Sequence, residues 1–160
     1  MVSSAFPGTV LSMSMIAWPV PEPDLPSGVD GALAAAALAA ASAFGAARAK
    51  YGRAELGEYV GTGADGTPTM RVDAIVEEAI AASCERNRVN LLSEEIGFVD
   101  HGSAVTLVID PLDGSANAAM GVPLSCFAGV VVRDGVAVEA LTLWLDTGRA
   151  WWAVSGTPTT

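Results

Sequence analysis

An α+β fold, with long helices packed on a largely antiparallel sheet, is what this sequence predicts, and three stretches carry the prediction. Residues 30 to 51 are dominated by alanine, the best helix former. Residues 72 to 86 put Val72, Ile75, Val76, Ala79 and Ile80 on one side of a second helix. From Cys126 onward, β-rich runs are divided by Asp134-Gly135 and Asp146-Thr147-Gly148, which reads as a three-stranded meander.

The elements follow in order. Residues 1 to 27 hold five prolines and no regular period, which predicts a poorly ordered extension before a domain spanning 28 to 160. The apolar run Val10 to Val20 is too short to span a bilayer and has no basic residue before it, so neither a membrane span nor a signal peptide is expected. For the first helix, the Ser27-Gly28-Val29-Asp30 capping pattern stands at the start, and Arg48 and Lys50 suit the negative end of the helix dipole. Gly57 to Gly66 carries four of the seventeen glycines and reads as a mobile connector. Without a lysine or the required spacing it is no P-loop. Val89 to Leu92 is a short strand ending at Glu94-Glu95, and Val105 to Ile109 a buried one. Trp144, Trp151 and Trp152 fall on the last two strands, where cross-strand packing explains them better than ligand stacking.

Composition narrows the classes of function. With 160 residues, 51% hydrophobic and 16% charged, the chain has enough apolar mass for one folded domain. A net charge of −10 excludes an electrostatic grip on nucleic acid. Cys84 and Cys126 fit no disulfide or metal-binding spacing, and two buried free thiols point to a reducing cytoplasm. His101, the single histidine, reads as a solvent-facing loop residue rather than a base.

The chemistry concentrates at Val108-Ile109-Asp110-Pro111-Leu112-Asp113-Gly114-Ser115-Ala116-Asn117. A buried strand delivers Asp110 to its tip, and Pro111 and Gly114 let the chain fold tightly around whatever the carboxylates hold. Ser115 and Asn117 suit the start of a short helix with free amides. A surface turn is the commoner meaning of Asp-Pro-x-Asp-Gly, but a buried apolar strand makes an unpaired aspartate costly. Glu94 and Glu95 add two more acids, and such a set suits a hard cation such as magnesium. Asp73, near the start of the second helix, could equally be there to meet the helix dipole.

Glu94-Glu95 followed by Asp110 to Asn117 resembles the signature of the inositol monophosphatase family, among the fructose-1,6-bisphosphatase-like, lithium-sensitive phosphatases. Gly66-Thr67-Pro68-Thr69-Met70-Arg71-Val72-Asp73 is similar to that family's upstream element, and the likeness runs from about Asp30 to the end of the chain. The resemblance implies the N-terminal domain of the sugar-phosphatase αβαβα fold. It also implies a Mg2+-dependent phosphomonoesterase acting on a small phosphorylated sugar or polyol. Asp73, Glu94 and Ser115 would be catalytic, with Asp73 and the Ser115 hydroxyl orienting and deprotonating the attacking water. Glu94, Asp110, the carbonyl of Leu112 and Asp113 would hold metal, with Glu95 behind or beside them. Asp113 and the amides of Gly114, Ser115 and Ala116 would receive phosphate. A homodimer is the implied assembly, with neither nucleic acid nor membrane as partner.

Three departures stand out. Ser115 replaces the commoner threonine and Ala118 a frequent aromatic. No Trp-Asp dipeptide occurs, although the family's Trp-Asp element completes the second metal site. The expectation is therefore a truncated, N-terminal half lacking the C-terminal α/β part, active only in part. The rival reading is a non-catalytic, metal-binding or dimer-forming remnant, and a purely structural domain is the third.

Overall fold

Asp30 caps the first long helix by accepting from the amides of Ala32 and Leu33 at 2.9 and 3.3 Å. In this computed structural model, which describes residues 20–156, α1 (Gly31–Lys50) is followed by a single-turn helix, α2 (Arg53–Leu56). A hairpin, β1 (Tyr59–Thr62) and β2 (Pro68–Met70), leads directly into α3 (Arg71–Asn87). Then come β3 (Asn90–Ser93), β4 (Gly97–Val99), β5 (Val105–Asp113), α4 (Ser115–Met120), β6 (Cys126–Arg133), β7 (Val136–Trp144) and β8 (Ala150–Val154).

The main sheet has the order β4-β3-β5-β6-β7-β8 and is antiparallel except between β3 and β5, which run parallel. Helices α1 and α3 pack on each other and cover one face, α1 over β6 and α3 over β5. The fold class is as expected. Alanine makes the close approach achievable: Ala36, Ala37, Ala40 and Ala41 are buried along α1 beside Leu33 and Phe44. By length and composition α1 would suffice to cross a bilayer, but these buried positions form the core of the domain. On the opposite face of the sheet, Leu92, Phe98 and Val108 are exposed.

Polar ties fix the ends of this layer. Arg48 pairs with Asp146 at 2.8 Å, both largely buried, and Ser125 Oγ donates to the other Asp146 oxygen at 2.9 Å. Thus α1 is anchored to the β7–β8 turn. Asp134 and Gly135, with φ of 50° and 76°, form the expected hairpin turn. The indoles of Trp144 and Trp151 meet edge-on at 6.2 Å, and Trp152 Nε1 donates to Glu139, so the tryptophans pack as expected.

Three expectations need correction. Of the expected extension 1–27, residues 1–19 lie outside the described residues, and 20–27 are not loose. Val20 and Leu25 pack on the core, and Asp24 N donates to Gly148 O at 2.8 Å. Gly57 to Gly66 is not a bare connector, because Tyr59–Thr62 pairs with β2 and recovers backbone hydrogen bonds that glycine-rich chain would otherwise leave to water. On α3 the buried face is Val72, Asp73, Val76, Glu77, Ile80, Ser83 and Cys84, turned so that two carboxylates lie inside.

A methyl group at Gly129 of β6 would lie 2.7 Å from Leu33 Cδ1 and 2.9 Å from Phe127 Cζ. Gly129→Ala is therefore expected to cost about 1–3 kcal/mol by overpacking, read as a lower urea midpoint. An unchanged midpoint would mean that α1 does not sit this close to the sheet.

Candidate active site

The parallel pairing of β3 with β5 is what assembles the site. Ser93 stands opposite Ile109 in that register, so the next residues along each strand, Glu94 and Asp110, emerge side by side at the same end of the sheet. The ladder with β6 is regular as far as Asp110 opposite Ala128, then shifts before Asp113 meets Cys126. Pro111 lies in that irregular step and has no N–H to give the ladder, which frees the chain to bend.

Gly114 completes the bend. Its φ is 83°, and a Cβ there would fall 2.5 Å from the carbonyl oxygen of Leu124, so only glycine fits. Helix α4 begins at the next residue, Ser115, and leaves its first amides without intrahelical acceptors. From the other side α3 contributes Asp73, whose Oδ2 accepts from the Met70 amide at 3.2 Å.

These pieces enclose a cleft of about 270 Å³ lined by Asp73, Glu94, Glu95, Asp110, Asp113 and Ser115, with Thr67 and Pro68 at one wall and Pro111, Leu112 and Gly114 at the other. All eleven lining residues lie within the two quoted motifs and the Glu94-Glu95 pair. Ala116, next along α4, is exposed beside the cleft.

No basic side chain lines the cleft, and the three ion pairs of the described residues, Arg48–Asp146, Arg71–Glu58 and Arg133–Asp30, involve none of its acids. The electrostatic consequence shows at Asp73, Glu94 and Asp110. Burial pushes the Asp73 carboxyl up to about 7, with Glu95 and Asp110 adding to the rise, while hydrogen bonds from the Met70 amide and the Ser115 hydroxyl oppose it. Glu94 is raised by burial, then by Asp110, Asp65, Glu95 and Asp113. Asp110 is raised by burial and by Asp113 and Glu95. Cys126, whose thiol donates to Asp113 at 3.7 Å, is pushed up to about 11 by burial and then by that aspartate. Mutual repulsion of unneutralised carboxylates is a cost that a cation would remove.

In donor chemistry the set fits a hard divalent cation. Among the described residues, however, no three acidic, histidine or cysteine side chains close around one point. Several oxygens are occupied locally: Asp110 Oδ1 accepts from the Leu112 amide at 3.2 Å, and Glu95 Oε2 accepts from the Thr69 hydroxyl.

Sequence reasoning missed three neighbours. Thr69 holds Glu95, and Asp65 lies close enough to Glu94 to raise it, its own carboxyl being lowered by the Thr67 amide and hydroxyl. Glu77, 3% exposed, sits one helical turn beyond Asp73 and is raised by burial. Only the position of Glu77, four residues after Asp73 on an otherwise apolar face, carried a readable signal. His101 stays in its loop, half-buried, with its amide donating to Asn90.

The raised carboxyls fix the sign of a pH effect. The folded chain holds the Asp73 proton more tightly than the unfolded chain, so this contribution is full below pH about 4 and is lost as pH rises through about 7. In chelator-containing buffer, stability should fall from about pH 4 to about pH 7, by up to about 1.4 kcal/mol per pH unit from this group. Asp73→Asn should flatten that slope in thermal melts, and an unaltered slope would show that Asp73 is not the group responsible.

Known proteins resemble the chain over part of their length. Over 78 residues the chain is 44% identical to a fructose-1,6-bisphosphatase/inositol-1-monophosphatase of Thermococcus kodakarensis, covering 49% of this chain and 30% of the relative. Over 106 residues it is 36% identical to the protein of the same description from Methanocaldococcus jannaschii, covering 66% of this chain and 42% of that one. A crystal structure described as an inositol monophosphatase–fructose 1,6-bisphosphatase superposes with a TM-score of 0.60 at 31% identity, over 68% of this chain and 45% of the other. The chain thus spans less than half the length of these relatives. No family model matches it.

Proposed function

Since the chain is a relative of the inositol monophosphatase family, matched over part of its relatives' length, we propose that it provides the metal-binding part of a Mg2+-dependent phosphomonoesterase. The observation that carries the reading is a cleft lined by five carboxylates and no basic residue, beside the free amides of a helix start. The substrate class is a small phosphorylated sugar or polyol. Free thiols at Cys84 and Cys126 support a cytoplasmic setting. A homodimer rests on the kinship alone.

A phosphate monoester resists hydrolysis because its negative charge repels the nucleophile and its alkoxide leaves poorly. Bound in this cleft, a divalent ion supplies Lewis acidity toward the phosphoryl and leaving oxygens and makes a nearby water easier to deprotonate. Glu94, Asp110 and Asp113, with the Leu112 carbonyl, are the oxygens available to hold it. Asp73 and the Ser115 hydroxyl face each other in the cleft, close enough for the hydroxyl to oppose the rise in the Asp73 carboxyl, so the couple can orient a water and take its proton. Glu95, tied to Thr69, steadies the acid wall. The amides of Gly114, Ser115 and Ala116 are placed to hold phosphate oxygens, with Asp113 at their edge.

The test is Mg2+-dependent release of phosphate from an inositol phosphate, fructose bisphosphate and an aryl phosphate. It is run on the 160-residue chain and on a version carrying any sequence naturally encoded beyond Thr160. Asp110→Asn is expected to lower the rate by a factor of about 100 or more, in line with loss of an electrostatic stabiliser. Absence of Mg2+-dependent release from the longer version would overturn the reading. Mg2+ uptake without release would support a non-catalytic metal binder instead.

A further inference from the structure

Glu77 is a buried carboxylate that the proposed chemistry leaves without a task. It lies on α3 four residues after Asp73, on the same helix face, and is 3% exposed. No basic side chain pairs with it among the ion pairs of the described residues. What it holds is backbone: its Oε1 accepts from the Ile96 amide at 3.0 Å. Ile96 closes the turn of Glu94, Glu95 and Ile96 that joins β3 to β4. The Ser93 hydroxyl, buried and without a hydrogen-bond partner, stands at the opening of that turn, near enough to oppose the rise that burial gives Glu77.

A carboxylate kept in the interior with one amide donating to it costs desolvation that an apolar residue of similar size would avoid. Its placement makes sense as a clamp. Ile96 N has this single acceptor, and the turn that Glu77 grips is the one that presents Glu94 to Asp110. Two further contacts steady the same turn from outside, since the Ala64 amide donates to the Glu95 carbonyl at 2.8 Å and Thr69 donates to the Glu95 side chain. Both of those grip Glu95. Glu77 alone grips the turn from the core side, behind Glu94.

We infer that Glu77 is a positioning residue for the acid cluster: by accepting from the Ile96 amide it fixes the Glu94–Glu95 turn in the register that lets Glu94 share a cation with Asp110 and Asp113. The inference rests on the metal-binding reading above. One helix then serves the cleft twice, with Asp73 inside it and Glu77 behind its wall.

The test uses the full 160-residue chain and Mg2+ as the probe, followed by calorimetry, with Mn2+ and its paramagnetic resonance signal as a second readout. Amide hydrogen exchange at Ile96 is measured in parallel. Glu77→Ala is expected to weaken Mg2+ binding about 10- to 100-fold, the usual cost of losing a residue that orients a ligand, and to speed exchange at Ile96. Glu77→Gln keeps an oxygen acceptor and should recover most of both. Val76→Ala, a neighbouring core truncation on the same helix, should lower stability and leave Mg2+ affinity unchanged, which separates positioning from general loosening. Wild-type affinity in Glu77→Ala, beside a loss in Asp110→Asn, would overturn this inference alone. Failure of the unaltered chain to take up Mg2+ would overturn the metal reading and this inference with it.

Discussion

Charge of one sign, gathered without a counterion from the protein itself, is the constraint around which this fold is arranged. Parallel pairing between β3 and β5 forces Glu94 and Asp110 out at the same sheet end. The step at Pro111 carries the chain round to Asp113, and α3 brings Asp73 to the same cleft. Burial and neighbouring acids raise the carboxyls of Asp73, Glu94 and Asp110, and no lysine, arginine or histidine lines the wall. A protein that needed only stability would separate these groups or pair them. Holding them together is useful when the missing positive charge arrives from outside.

Rigidity around the cluster comes from packing rather than from the acids. Alanine along α1 lets that helix lie close to α3 and to β6, and Gly129 leaves room for Leu33. The Arg48–Asp146 pair ties α1 to the far turn of the sheet. Thus α3 has a firm backing from which its Asp73 and Glu77 can act on the cleft and its wall. The glycine at 114 belongs to the same economy of space, since its backbone abuts that of Leu124 where α4 begins.

Much of this was legible in the sequence because local rules and tertiary demands agree there. Both long helices, the β6–β7–β8 meander and the Asp134-Gly135 turn follow from propensity, capping and period. The acids Glu94, Glu95, Asp110 and Asp113 lie in short motifs whose spacing survives folding. What escaped depends on pairing between distant segments. Tyr59–Thr62 has exposed side chains throughout and becomes a strand only because β2 returns alongside it. Gly97–Val99 is three residues long and takes its identity from β3. Residues 20–27 have no period but are held by Gly148 and the core. The spacing of Glu77 from Asp73 was readable, but what it holds emerges only when the Ile96 amide is placed opposite it.

The most direct measurement is the anomalous scattering of crystals grown with Mn2+ as a stand-in for Mg2+. The account predicts a peak within about 2.3 Å of oxygens from Glu94, Asp110 and Asp113, with those side chains rotated toward it. A cleft that stays empty at saturating Mn2+, or ions bound only at unrelated surface acids, would contradict it.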